Sequence, residues 1–132
     1  MGIGAATFYY AKGYSYMLDD PAACRNCHVM ETQYISWMKS SHRSVATCND
    51  CHTPHGITGM LTTKAINGFN HGYAFTTADY KNPIRINNRN RKIAEDNCRR
   101  CHGMLISNII FHETENTKTD CISCHGSIGH LK

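Results

Sequence analysis

The sequence predicts a mostly helical fold with extensive loops and little sheet, in which bound prosthetic groups rather than side chains fill much of the interior. Three observations lead there. The chain has 132 residues, enough for one domain but for only a thin protein core. Only 41% of the residues are hydrophobic and the mean hydropathy is -0.45, with apolar positions scattered rather than set in long periodic runs. Against that poor core stand eight cysteines and nine histidines, far more than an ordinary cytosolic domain of this length carries.

The cysteines form four pairs, each with two intervening residues, and a histidine follows every second cysteine. The pairs are Cys24/Cys27 with His28, Cys48/Cys51 with His52, Cys98/Cys101 with His102, and Cys121/Cys124 with His125. No cysteine is left over. C-x-x-C-H attaches c-type haem: two thiols add to the vinyl groups, and the next residue brings an imidazole to the iron. Zinc ribbons also use C-x-x-C pairs, and eight cysteines could form disulfides in an exported chain. Neither alternative accounts for the histidines. With nine in 132 residues, a histidine behind all four pairs arises by chance with a probability of about 2 in 100,000, whereas haem attachment requires it.

Sharing 132 residues among four haems leaves 33 for each, so the macrocycles supply much of the apolar core. Helical stretches are expected at 29–41 after the first site, at 104–112 after the third, and at 58–67 and 93–101. The segment 79–90, with Pro83 and an asparagine-rich end, reads as an irregular connector between a front and a back half. Haems packed this closely form a wire.

Each iron takes two axial ligands, and five histidines lie outside the motifs: His42, His55, His71, His112 and His130. All are candidates for the distal positions, and some are ordinary surface residues. His42, His112 and His130 come first, because His42 closes a helical stretch and the other two flank the fourth attachment site. The first site alone reads Cys24-Arg-Asn-Cys27-His28-Val-Met30. Met30 either packs against the haem edge or ligates the first iron in place of His28, which raises the potential relative to bis-histidine ligation.

These motifs together resemble the NapC/NirT/NrfH family of tetrahaem quinol dehydrogenases, and among them the short members that serve as small subunits of cytochrome c nitrite reductases. The likeness covers nearly the whole chain. It rests on the order of the four motifs, the C-x-x-C-H-x-M form of the first, Ser40-Ser41-His42 before the second, Cys51-His52-Thr-Pro-His55, and Cys124-His125-Gly-Ser-Ile-Gly-His130.

The resemblance implies that Met30 holds the first haem beside a quinol pocket at the membrane surface. It also implies that His52, His102 and His125 are proximal ligands of the other three, that His42 and His130 match distal histidines, and that a lysine of the catalytic partner completes the second haem. The implied substrate is quinol, menaquinol before others, and the implied partners are the membrane quinol pool, membrane lipid and a multihaem nitrite reductase catalytic subunit. Family members place a lysine and an acid in the quinol pocket. Lys64 matches the lysine, whereas Asn70 stands where the acid is expected. Lys64, His71 and Asp79 are therefore the candidates for handling the protons that quinol releases.

The family begins with a transmembrane helix, which needs about 20 apolar residues. Residues 1–20 are expected to be the outer end of such an anchor and its juxtamembrane segment, with 21–132 as the tetrahaem domain. The tyrosine-rich cluster Phe8, Tyr9, Tyr10, Tyr14 and Tyr16 suits a membrane interface. C-type haem is attached outside the cytoplasmic membrane, so the expected location is its periplasmic side in a bacterium. The formal charge is +4, and haem propionates offset it. The basic stretch Arg85-Ile-Asn-Asn-Arg-Asn-Arg-Lys92 is expected to pair with propionates or an acidic partner surface, and no nucleic-acid role is expected. A soluble or NapC-like tetrahaem carrier serving another periplasmic reductase is the alternative. A catalytic reductase is disfavoured because little chain remains to build a substrate pocket.

Overall fold

The structure, a computed structural model, describes residues 2–81, 83–107 and 120–130. Among them the regular backbone is helical throughout, with no strand. The helices are α1 (Gly2–Tyr10), α2 (Pro21–Cys24), α3 (Glu31–Met38), α4 (Cys48–His52), α5 (Ile57–Thr77), α6 (Asn88–Ser107) and α7 (Cys121–Cys124), with 3₁₀ turns at Gly13–Met17 and His28–Met30. The helical, loop-rich class expected from the sequence is the one observed.

The chain forms two compact units, Met1–Asn49 with Ser127–Lys132, and Asp50–Gly126. The division passes through α4 and not through the expected connector, which lies inside the second unit.

In the first unit, Asp20 caps α2 by accepting from the Ala22 amide at 2.9 Å, with Pro21 in the first turn, where its missing N–H costs nothing. The first attachment site therefore starts on a fixed turn. Asn49 Nδ2 donates to the Leu18 carbonyl at 3.1 Å and to Asp19 Oδ1 at 2.8 Å, which fixes the chain ahead of the first site against the start of the second. Trp37 Nε1 donates to the Ala46 carbonyl at 3.0 Å, closing the turn that follows α3. That helix ends at Met38, short of the expected residue 41. Its last amide bonds are 3₁₀-like, Lys39 to Ser36 at 3.1 Å and Ser40 to Trp37 at 2.9 Å, so the chain tightens and turns away. His42 consequently sits in a turn beyond the helix.

In the second unit, α5 runs ten residues past the expected end at Asn67, and α6 begins at Asn88, inside the expected connector. The start of α6 is bonded back to the first half of α5. Arg89 donates to Thr63 Oγ1 and Asn90 Nδ2 to Asn67 Oδ1, each at 3.1 Å, and Thr63 and Lys64 are buried. Gly68 and Gly72 weaken α5 locally, yet the helix runs through both. Ala78, in the left-handed conformation at φ 57, ends the helix. The expected stretch at 93–101 lies wholly inside α6, and residues 104–107 of the stretch expected at 104–112 continue it. The remainder, His112 included, lies outside the described residues.

Ala94 is the one hydrophobic residue buried among those described. Phe69, Phe75, Met104 and Leu105 are each more than half exposed. No helix of the described residues is long and apolar enough to cross a membrane.

Candidate functional site

Helix geometry explains why the C-x-x-C-H turns can grip a flat cofactor. In an α-helix, positions i, i+3 and i+4 share one face. In α4, Cys48, Cys51 and His52 stand in that relation, as do Cys98, Cys101 and His102 in α6. In α7 the relation holds for Cys121 and Cys124, and the His125 amide continues the turn by donating to the Cys121 carbonyl at 2.8 Å. The first motif is looser: Cys24 ends α2, and the Cys27 amide reaches its carbonyl at 3.4 Å. Two thiols and an imidazole thus project from one side of each helical motif.

Asn97 fixes two of these turns against each other. Buried to 8% exposure, it donates from Nδ2 to the Cys51 carbonyl at 3.1 Å and to the Thr53 carbonyl at 2.9 Å. It immediately precedes Cys98, so the end of the second motif is seated on the start of the third. The fourth motif is held on α6 by a separate set of contacts. Glu95 accepts from the amides of Cys121 at 3.0 Å and Ile122 at 2.7 Å, while Asp120 caps Ser123 and pairs with Arg91 at 2.6 Å. A hydrogen bond shared with the Glu95 carboxyl, together with those donated by Arg91 and Ser123, holds the Asp120 carboxyl well below the usual carboxylate range. The basic stretch is therefore partly used within the chain: Arg91 pairs with Asp120, Lys92 with Asp96 at 3.0 Å, and Arg89 with Thr63.

Cys24, Cys48, Cys51, Cys98 and Cys121 are half-buried, and Cys27, Cys101 and Cys124 are exposed. Burial pushes the Cys51 and Cys98 thiols up, with Asp50 adding at the first and Glu95 at the second; burial followed by the Glu95 hydrogen bond raises Cys121. Apolar side chains beside the motifs are open to solvent in the polypeptide alone, Val29 at the first, Met104 and Leu105 at the third and Ile128 at the fourth. Paired thiols, adjacent imidazole and flanking apolar surface all fit haem.

Among the described surplus histidines, His130 has its ring held against a distant stretch of backbone. Its Nδ1 lies 3.2 Å from the Gln33 carbonyl, which can only accept, so Nδ1 carries the proton. Burial lowers its pKa, which keeps the ring neutral. His42 is half-buried with Nδ1 3.3 Å from Ser41 Oγ, whereas His55 and His71 are exposed. His52 is half-buried and His102 and His125 are exposed. Met30 is half-buried at the end of a 3₁₀ turn, its amide bonded to the Cys27 carbonyl at 2.8 Å. Residues i and i+3 eclipse in that geometry, so Met30 stands on the same side as Cys27.

The quinol-pocket candidates share α5 and its end without converging. Lys64 is buried at 4% exposure, and His71 lies seven positions on, along nearly the same face and about 10 Å away. Asp79 is exposed beyond the helix end, about 20 Å from Lys64 along the axis. Arg91, Glu95 and Asn97 are absent from the sequence-derived site, because their partners lie between 26 and 46 residues away.

Helical C-x-x-C-H turns on a chain with almost no side-chain core define a multihaem c-type cytochrome. The family model described as the NapC/NirT cytochrome c family, N-terminal region, matches residues 1–132, and the chain belongs to that family. It is 36% identical to the cytochrome c-type protein NrfH of Wolinella succinogenes, over 92% of this chain and 75% of that one. Identity to the cytochrome c nitrite reductase subunit NrfH of Nitratidesulfovibrio vulgaris is 28%, over 98% and 77% of the two chains. A chain in the crystal structure of the cytochrome c nitrite reductase NrfHA complex bound to the HQNO inhibitor superposes with a TM-score of 0.73 at 26% identity, covering 98% of this chain and 86% of that one.

Proposed function

We propose that this chain is a tetrahaem cytochrome that oxidises quinol at the periplasmic face of the bacterial cytoplasmic membrane and delivers the electrons to a multihaem nitrite reductase catalytic subunit. The observation that carries this is the seating of successive C-x-x-C-H turns on one another, through Asn97 and through Glu95 with Arg91. Close, rigid seating of attachment turns serves conduction. The hollows of about 470 Å³ beside Thr63 and about 430 Å³ beside Phe69 are open to solvent. Bound haem supplies a one-electron centre at each of the four motifs.

The chain's own residues divide the remaining work. The eight motif cysteines hold the haems. His52, His102 and His125 serve as proximal ligands, with His42, His112 and His130 as distal candidates. Met30 takes the place of His28 at the first haem. Lys64, His71 and Asp79 are the candidates for taking the protons of quinol, menaquinol in the first instance. Residues 65–78 carry no charged side chain, and Phe69, Tyr73 and Phe75 there are exposed, as are Phe8, Tyr9 and Tyr10 of α1. Each of these two stretches taken by itself suits a membrane interface, with residues 1–20 as the outer end of an anchor. The named relatives, one of them a subunit of a nitrite reductase, support the identity of the partner.

Reconstitution tests the proposal. Quinol-dependent reduction of nitrite is expected only when this chain and the catalytic subunit are purified together. Comparable nitrite reduction by this chain alone would refute the assignment. So would quinol oxidation for a soluble acceptor without co-purification of any haem-containing partner.

A further inference from the structure

α7 has four residues, too few to be stable on its own, since the first turn of any helix fixes several residues for a single hydrogen bond. Its amides are satisfied from outside. Glu95, on α6, accepts from Cys121 at 3.0 Å and from Ile122 at 2.7 Å, and Asp120 serves Ser123 at 3.1 Å. One carboxylate thus takes two of the four amides that a helix start leaves unpaired, and one of the two belongs to a haem-attaching cysteine. Glu95 is half-buried and three residues ahead of Cys98, so the group that holds the fourth attachment turn stands on the same helix face as the third. Arg91, one turn earlier, secures Asp120 at 2.6 Å. The adjacent acid, Asp96, is exposed and pairs along the helix with Lys92, which makes it a control.

We propose that Glu95 is a positioning residue for the fourth haem: its carboxylate orders the Cys121–Cys124 turn against α6 so that both thiols are presented for attachment and the bound haem keeps a fixed geometry. The role is independent of which donor reduces the chain and which acceptor oxidises it.

The test is site-resolved haem occupancy of the full holoprotein, read by mass of the peptides carrying each cysteine pair, together with a potentiometric titration. Glu95→Ala is expected to lower occupancy at Cys121/Cys124 several-fold relative to the other three sites, and in molecules that retain all four haems to displace one midpoint potential. Glu95→Gln keeps an acceptor oxygen and is expected to restore most of that occupancy. Asp96→Ala should match the unmodified protein. The proposal is overturned if Glu95→Ala keeps full occupancy and unchanged potentials, if its losses spread evenly over the four sites, or if Glu95→Gln fails to rescue it.

Discussion

Replacing Met30 by leucine is expected to change the spectrum and potential of one haem, leave the other three unaltered, and slow quinol oxidation by at least about tenfold. Leucine fills similar space but offers no lone pair, so packing is kept while ligation is lost. A thioether raises the potential of haem iron relative to a second imidazole, and its loss therefore lowers the potential at the site that takes electrons from quinol. A fall of about 60 mV makes a one-electron transfer tenfold less favourable. Met30 is singled out by position, as its amide completes the turn on Cys27 at 2.8 Å. A redox titration of the variant, followed optically, separates the affected haem from the rest. If all four titrate as before, Met30 only packs against a haem edge.

Asn97→Asp is expected to destabilise the holoprotein by about 3 kcal/mol or more, and Asn97→Ala by about 2 kcal/mol. The alanine variant leaves the carbonyls of Cys51 and Thr53 without their shared donor. The aspartate variant adds a carboxylate facing two carbonyl oxygens in a site of 8% exposure. Against a total stability of about 5–15 kcal/mol, either change is large. The denaturant midpoint of the purified holoprotein measures it, and equal midpoints for the aspartate variant and the unmodified chain would show that the second and third turns do not depend on Asn97.

Much of this molecule is visible in its sequence, for a physical reason. Covalent haem attachment is a local event: thiols and imidazole must fall within one helical turn, so the spacing of Cys98, Cys101 and His102 announces the chemistry without reference to any distant residue. The helix class follows from the same spacing. What escapes is whatever depends on distant parts of the chain. Glu95 and Asn97 read as ordinary helix residues, and only the fold brings Glu95 to Cys121 and Asn97 to Cys51. The extent of α5 escapes likewise, since Gly68, Asn70 and Gly72 are weak helix formers and the contacts of Thr63 and Asn67 that support the helix come from Arg89 and Asn90. Arg91 illustrates a third case. Within a basic run its charge suggests a partner surface or a propionate, yet Asp120 of its own chain takes it.

Intact mass under denaturing conditions tests most directly the claim on which everything else rests, that four covalent haems form the core of this chain. The account predicts the mass of the 14.9 kDa polypeptide plus four haems, with all eight cysteines resistant to thiol alkylation. A mass corresponding to fewer haems, to bound zinc, or to cysteines that alkylate freely would contradict it.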